Sequence, residues 1–471
     1  MFGVSWLLRA TLGIYNVDIH KVKWYSQDVR RCSRQHDHRP AFVVSVLLGL
    51  PVMFVASSIR VVSKQPANPN FRVSLSVSPF AEILFESGVV YTDGKITAKS
   101  VEELQRLFVA HGASEVYARI ATSREKTPGF GDHSLNRGLM RARLAKSLGL
   151  PFNPELGLFK VYGDVRCQPS PDFSDYAELK VPGPWTSLTI EQMLPIVRTY
   201  GAVVAKLILE TGVKVNVWDL GNEVDFGIAG LSPGPLPSAC DEISGPNWYQ
   251  PPNRVDPEIG KKALLDLLKL PESERIAWLQ AHVWPHEARI LAATADGIRS
   301  VDPGAKFSSH VSGVLAVRSN EAMAFFAAMK KGGYLPDQLG FSFYPSSTPD
   351  PPDRLQAFKK TVMTVGTEFK RPVFVAEFAY PAAAKAAQDG PFASWSHALD
   401  HYPLTPEGQA DLLRDLAGWG IAHGLSGIRP WGPDTTVTAW DSFALFDLNG
   451  KKANARPGLS AIAEGAQASQ P

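Results

Sequence analysis

Cysteine is scarce in this 471-residue chain, which has only Cys32, Cys167 and Cys240. That count excludes a framework of several disulfides. Cys167 and Cys240 both fall in loop-like sequence, so an oxidising compartment would permit one bridge between them, and two unpaired thiols are the other option. Charge of one sign is also lacking. Lysine and arginine number 48 against 46 acidic residues, so no strong field exists to draw nucleic acid or an anionic surface. A neutral partner fits that balance. Among motifs, there is no Walker loop and no His-Glu-x-x-His. The nearest glycine-rich candidate, Gly129-Phe-Gly131, lacks the third glycine of a dinucleotide turn. His282 and His286 are spaced for one helix face, but Pro285 lies between them and no third ligand is near. They read as surface or cap histidines, with no metal and no cofactor implied.

Long apolar runs are absent except at residues 41–57, which carry no charge. Arg30, Arg31, Arg34 and Arg39 precede this run, and Ala56, Ser57 and Ser58 close it. That order is the pattern of an export signal. Some 40 residues stand before it, and its length is near the lower bound of a membrane span. Three readings remain: an export signal with a start placed too far upstream, a single membrane anchor, and an ordinary buried helix. The first two assign residues 1–62 to a signal or anchor with its linker and residues 63–471 to one catalytic domain. They put that domain outside the cytoplasm: secreted, periplasmic or tethered to a membrane.

What is present is a large potential core, with 45% apolar and 10% aromatic residues. Beyond a polar linker at 63–70, short β-branched runs alternate with longer helical stretches. Strands are predicted at 72–77, 115–120, 158–163, 214–220, 306–310, 339–344, 372–376 and 425–430. Helices are predicted at 101–111, 190–211, 285–301, 320–332, 354–367 and 406–423. Eight such units with no phosphate turn after the first strand predict a closed (β/α)₈ TIM barrel. One long connection after the fourth strand, 225–280, is rich in proline and then helical. In a barrel such loops rise from the catalytic face, so this insertion either walls the cleft or packs as a subdomain.

Two carboxylates stand out. Residues 215–226 read VNVWDLGNEVDF, and alternation turns Val217, Asp219, Gly221 and Glu223 inward, with Trp218 and Leu220 facing helices. Residues 371–381 read RPVFVAEFAYP, and alternation turns Val373, Val375 and Glu377 inward. An unpaired buried carboxylate is costly, so a glutamate ending a strand is poorly suited to a core role. Ending strands four and seven, the two would face each other across a narrow barrel. A pair about 5 Å apart suits glycoside hydrolysis with retention; a wider pair admits a water and inverts.

These segments resemble the clan of (β/α)₈ glycosidases with an Asn-Glu acid/base after strand four and a glutamate nucleophile after strand seven. Within it, the likeness is to arabinogalactan endo-β-1,4-galactosidase, glycoside hydrolase family 53. It is carried by Leu220-Gly-Asn-Glu223, Gly340-Phe-Ser-Phe-Tyr-Pro345, Val375-Ala-Glu-Phe-Ala-Tyr-Pro381 and Trp440-Asp-Ser-Phe-Ala-Leu-Phe-Asp-Leu-Asn-Gly450. It spans roughly residues 73–459 and is strongest in the second half. The resemblance implies Glu223 as acid/base, Glu377 as nucleophile and Asn222 as a donor to the sugar 2-hydroxyl. It further implies that Tyr344 orients the nucleophile, that Trp431 floors the subsite of the reacting sugar, that Arg119 supports the nucleophile and that His310 belongs to the site. As bland alternatives, Tyr344 and Trp431 would be core aromatics, and Arg119 a barrel-bottom ion-pair partner of Asp164 or Asp219. Two stretches depart from the family. Strand two reads Arg119-Ile-Ala-Thr-Ser123, without a second arginine and aromatic, and Val161-Tyr-Gly-Asp-Val165 replaces a His-Tyr-Ser-Asp run. Those loops line the cleft, so chemistry is better specified than sugar. The expected function is retaining hydrolysis of a β-linked polysaccharide or oligosaccharide, galactan-like by resemblance. A glucanase or mannanase, or a non-catalytic carbohydrate-binding barrel, are the alternatives.

Overall fold

A computed structural model describes residues 71–468, apart from 126–130, 235–253, 349, 385–391, 393 and 437–439. The apolar run at 41–57 and Cys240 therefore lie outside the described residues. The barrel strands, in chain order, are β1 (Arg72–Val73), β2 (Val116–Ile120), β3 (Phe152–Leu156), β4 (Trp218–Leu220), β5 (Phe307–Val311), β6 (Gln338–Phe343), β7 (Val373–Phe378) and β8 (Leu425–Pro430). They form one parallel sheet in the order β1-β8-β7-β6-β5-β4-β3-β2. This is the (β/α)₈ barrel expected from the alternation of strands and helices. Between β1 and β2 the ladder is largely replaced by serines. Ser114 N donates to Val73 O (3.0 Å), Val73 N to Ser114 Oγ (3.0 Å) and Tyr117 N to Ser76 Oγ (2.8 Å). Buried amides must find acceptors, and hydroxyls supply them where the backbones part. That is why β1 is only two residues long although 72–77 reads as a strand.

The third strand lies six residues before its predicted position. Leu158–Gly163 alternates like a strand, but Leu158 has φ +54° and the segment leaves the sheet as a loop over the barrel mouth. The true β3 is disguised by Pro154, which brings no N–H to a ladder. The Asn153 side chain donates instead to Val217 O (2.9 Å) on the neighbouring segment.

Outside the strands lie α1 (Val101–Ala110), α2 (Leu135–Leu148), α3 (Ile190–Glu210), α4 (Leu264–Lys269), α5 (Glu272–His282), α6 (Trp284–Arg299), α7 (Ser319–Lys331), α8 (Arg354–Phe369), α9 (Pro406–Ala422) and α10 (Gly458–Ala468). Starts follow local chemistry: Ser100 and Thr405 cap α1 and α9 through their hydroxyls. Helices α3 and α6 cross where only glycine fits, since a Cβ on Gly297 would lie 1.9 Å from Arg198 O. Outward strand residues pack on helices, as in the Phe343–Phe358 stack with centroids 4.1 Å apart. Burial of each such ring contributes about 1.5–3 kcal/mol. A second sheet, made of Val90–Thr92, Thr97–Ala98, Phe446–Asn449 and Lys452–Ala455, joins the start of the domain to its end.

The barrel interior is polar. Arg72 reaches Glu115 (3.2 Å), Asn153 (3.2 Å) and Gln338 (2.5 Å) near the N-terminal ends of the strands. Arg429 lies further up, bonded to Asp219 (2.7 Å) and Asn153. Arg119 stands near the C-terminal mouth. Each buried guanidinium is offset by a carboxylate, as burial of charge requires.

Candidate active site

At the end of β4 the chain does not keep alternating. Gly221, at φ +78°, turns it out of the sheet, and a Cβ there would come within 2.2 Å of Val224 Cγ1. Glu223 then adopts φ +48°, a left-handed conformation that costs a non-glycine residue about 1–3 kcal/mol. Asp225 holds this turn, accepting from Ser312 N (2.9 Å) and Ser312 Oγ (2.7 Å) at the top of β5. The turn aims two successive side chains, Asn222 and Glu223, at the barrel mouth.

In β7 the expected alternation of Val373, Val375 and Glu377 does not hold. Phe374 is the inward residue, with its ring 3.8 Å from the Arg72 guanidinium carbon, while Val373 meets α8. A bulge at Ala376, where Phe341 pairs with Val375 but Ser342 pairs with Glu377, reverses the parity. Glu377 therefore points inward through the irregularity, as β-bulges near active sites commonly arrange.

Arg119 joins the two strand ends. Its Nη2 donates to Asn222 Oδ1 (2.7 Å) and to Glu377 Oε1, and its Nε donates to Glu155. Its ion-pair partner below the mouth is thus Glu155, not Asp164 or Asp219. Tyr344 Oη donates to Glu377 Oε2 (2.5 Å). Two donors therefore fix both oxygens of Glu377, an arrangement that orients a carboxylate. Burial, together with the charges of Glu377 and Glu223, pushes the Tyr344 hydroxyl well above its ordinary range, so it remains a donor. Burial would lower the Arg119 pKa, but Glu155, Tyr117 and Glu377 outweigh it and raise it well above normal.

Glu223 sits in the opposite electrostatic state. Burial first, then the charges of Glu377, Asp164 and Asp225, push it well above the usual carboxylate range, against the opposing hydrogen bond from Val165 N to Oε2 (3.2 Å). Such a shift favours the protonated form, as a general acid requires. His310 Nε2 accepts from Glu223 N (3.3 Å), and burial pushes this imidazole down to about 4. It is neutral, with its proton on Nδ1. Asn222 is fixed on both sides, since its Nδ2 donates to Gly163 O (2.7 Å). Trp431 is half-buried against Trp440, with ring centroids 4.7 Å apart, and Tyr344 lies 4.9 Å from Trp395. Trp431 and Tyr344 thus belong to one aromatic wall.

The structure brings Asn222, Glu223, Arg119, His310, Tyr344 and Glu377 into one network and places Trp431 in the wall that Tyr344 shares. Sequence reasoning missed Glu155, the Val165 N–H, Trp395 and Trp440 as site residues. Trp440 stands inside a stretch that resembles the family, which was a usable signal. Glu155 was hidden by the displaced third strand. Cys167 is disulfide-bonded, and it closes a two-way backbone bridge with Asp164 beside Val165. Among the described residues no group of three or more acidic, histidine or cysteine side chains is arranged to hold a metal ion.

With this geometry in place, the comparisons with known proteins agree on the (β/α)₈ barrel and show a likeness to glycoside hydrolases. The family that the chain resembles is glycosyl hydrolase family 53, whose model matches residues 258–459. That stretch contains His310, Tyr344, Glu377 and Trp431; Arg119, Asn222 and Glu223 precede it. The family 53 catalytic domain of Ignisphaera aggregans superposes with a TM-score of 0.59 at 17% identity, covering 84% of this chain and 97% of that one. A structure described for fungal β-1,4-galactanases gives a TM-score of 0.57 at 17% identity, covering 83% of this chain and 98% of that one. At that identity both likenesses concern the fold. No curated protein matches by sequence.

Proposed function

We propose that this protein is a retaining glycoside hydrolase acting on a β-linked polysaccharide, galactan-like in preference, with Glu377 as nucleophile and Glu223 as acid/base. The observation that carries this reading is the Arg119 guanidinium, which ties Glu377 to Asn222, the residue next to Glu223. In the first step a Glu377 carboxylate oxygen bonds to the anomeric carbon, the bond to the leaving oxygen breaks, and the Glu223 proton passes to that oxygen. Glu223, now ionised, then takes a proton from water as the water oxygen displaces Glu377. The contrast between a Glu223 raised by burial and neighbouring charge and a doubly donated Glu377 supports that division of labour. The second N–H of Asn222 is the donor suited to the sugar 2-hydroxyl, and Trp431 is suited to stack on the sugar ring.

Galactan preference is supported by the match to family 53. The loops that depart from the family leave β-glucan and β-mannan as the substrates to test against. Export is supported by the charge order around residues 41–57 and by the disulfide at Cys167. The test is a panel of galactan, glucan and mannan with product sizing, run on the wild type and on Glu377→Gln. Reducing ends released from galactan by the wild type alone are expected. Undiminished hydrolysis by the variant removes Glu377 from the mechanism, and binding without product on every glycan favours a carbohydrate-binding barrel.

A further inference from the structure

Beneath both candidate catalytic carboxyls lies a third one that this chemistry does not consume. Glu155, at the top of β3, is fully buried. Its Oε1 accepts from Arg119 Nε; its Oε2 accepts from Tyr117 Oη (2.9 Å) and lies 3.6 Å from Arg429 Nη1 and 3.9 Å from His310 Nδ1. Arg119 is the group that holds Glu377, and His310 is the group that receives the Glu223 backbone N–H. Glu155 is thus in contact with the immediate supports of both.

We infer that Glu155 is a positioning residue that sets the charge balance of the nucleophile by sharing the Arg119 guanidinium with Glu377. The inference rests on Glu377 being the nucleophile. As Glu377 bonds to the anomeric carbon it becomes an ester and loses its negative charge, which leaves Arg119 buried with one carboxylate fewer. Glu155 is the partner that remains: burial raises its carboxyl, and the charges of Arg119 and Arg429 act against that and favour the carboxylate. An unpaired buried guanidinium is strongly unfavourable, so the carboxylate at Glu155 lowers the cost of forming the covalent intermediate. Before reaction it acts in the same sense, because an Arg119 already paired binds Glu377 less tightly and leaves its oxygen more available for attack. The position is held from every side: Arg119 and Tyr117 from β2, Arg429 from β8, His310 from β5 and Asp219 from β4 all face Glu155. Around Glu377 stand Arg119, Tyr344, His310, Tyr162 and Glu223.

The test is Glu155→Gln with Glu155→Asp beside it, read as kcat and KM across pH on the glycan that the wild type cleaves. Loss of the charge lets Arg119 bear on Glu377 alone. kcat is expected to fall about 10–100-fold with KM little changed, and the acidic limb of kcat/KM to move to lower pH by about one unit. Glu155→Asp keeps the charge, so its acidic limb should stay near the wild-type position whatever its rate. If Glu155→Gln does not fold, Tyr117→Phe removes a competing donor, leaves the Glu155 carboxylate to lean more on Arg119, and should move the limb the other way, to higher pH, by less. A lowered rate with an unmoved limb in the folded variant denotes packing only and overturns the inference. In parallel, the wild type is treated with 2,4-dinitrophenyl 2-deoxy-2-fluoro-β-galactobioside and the labelled peptide is mapped. A label on Glu377 with an unmoved limb rejects the role of Glu155 alone; a label on another carboxylate rejects the nucleophile assignment and this inference with it.

Discussion

Replacing Tyr344 with phenylalanine removes one oxygen and little else. The ring keeps its contacts with Trp395 and Trp440, at centroid distances of 4.9 and 6.3 Å, so the aromatic wall should stand. What is lost is the 2.5 Å bond to Glu377 Oε2. A hydrogen bond to a charged group contributes roughly 1.5–3 kcal/mol. Part of that stabilises the carboxylate itself, and part fixes the direction of the attacking oxygen. With Arg119 holding only Oε1, the carboxylate can swing, and misplacement of a reacting group by about 1 Å costs up to about 100-fold. The variant is therefore expected to lose about 10–100-fold in kcat, equal to about 1.4–2.7 kcal/mol in the barrier. Loss of a donor disfavours the ionised nucleophile, so the acidic limb of kcat/KM should rise, by about one unit for each 1.4 kcal/mol lost. This is the opposite direction from Glu155→Gln. The assay is initial-rate hydrolysis of the preferred glycan from pH 3 to 9, with melting temperature as a check on folding. A folded variant with kcat within twofold of wild type and an unmoved limb would refute the claim that Tyr344 orients Glu377.

Two further outcomes follow from the buried acids. Glu223→Ala should still be glycosylated by substrates with good leaving groups, lose the alkaline limb of its pH profile, and be accelerated by azide. Equal losses on good and poor leaving groups, measured by a leaving-group series, would remove the acid/base role. Glu287 on α6 is fully buried, neither carboxylate oxygen has a partner among the described residues, and burial and then Asp225 raise it well above the carboxylate range. Its folded-state pKa exceeds the unfolded one, so the folded state holds the extra proton. Stability should therefore fall as pH rises from the ordinary glutamate range toward that raised value. Glu287→Met should remove that slope and stabilise the protein by about 1–3 kcal/mol at neutral pH. Thermal melts from pH 4 to 8 that keep the wild-type slope would contradict this.

Much of this protein was determined by its sequence. Strand and helix periodicity is a local property, and it specified the eight βα units, most of their boundaries and hence the barrel. The residue types ending β4 and β7 are equally local, so Glu223 and Glu377 stand out as strand-end acids before any fold is known. Other features depended on contacts between distant segments. Simple alternation in β7 sends Glu377 inward with the wrong neighbours, because the bulge at Ala376 arises from pairing with β6. The third strand was misplaced because Pro154 looks prohibitive until Asn153 is seen bonding to Val217 O. Glu155 carried no sign of its role, since its partners Arg119, Tyr117, Arg429 and His310 come from three other strands. Only closure of the sheet brings them within bonding distance, and charge networks depend on that distance rather than on order along the chain.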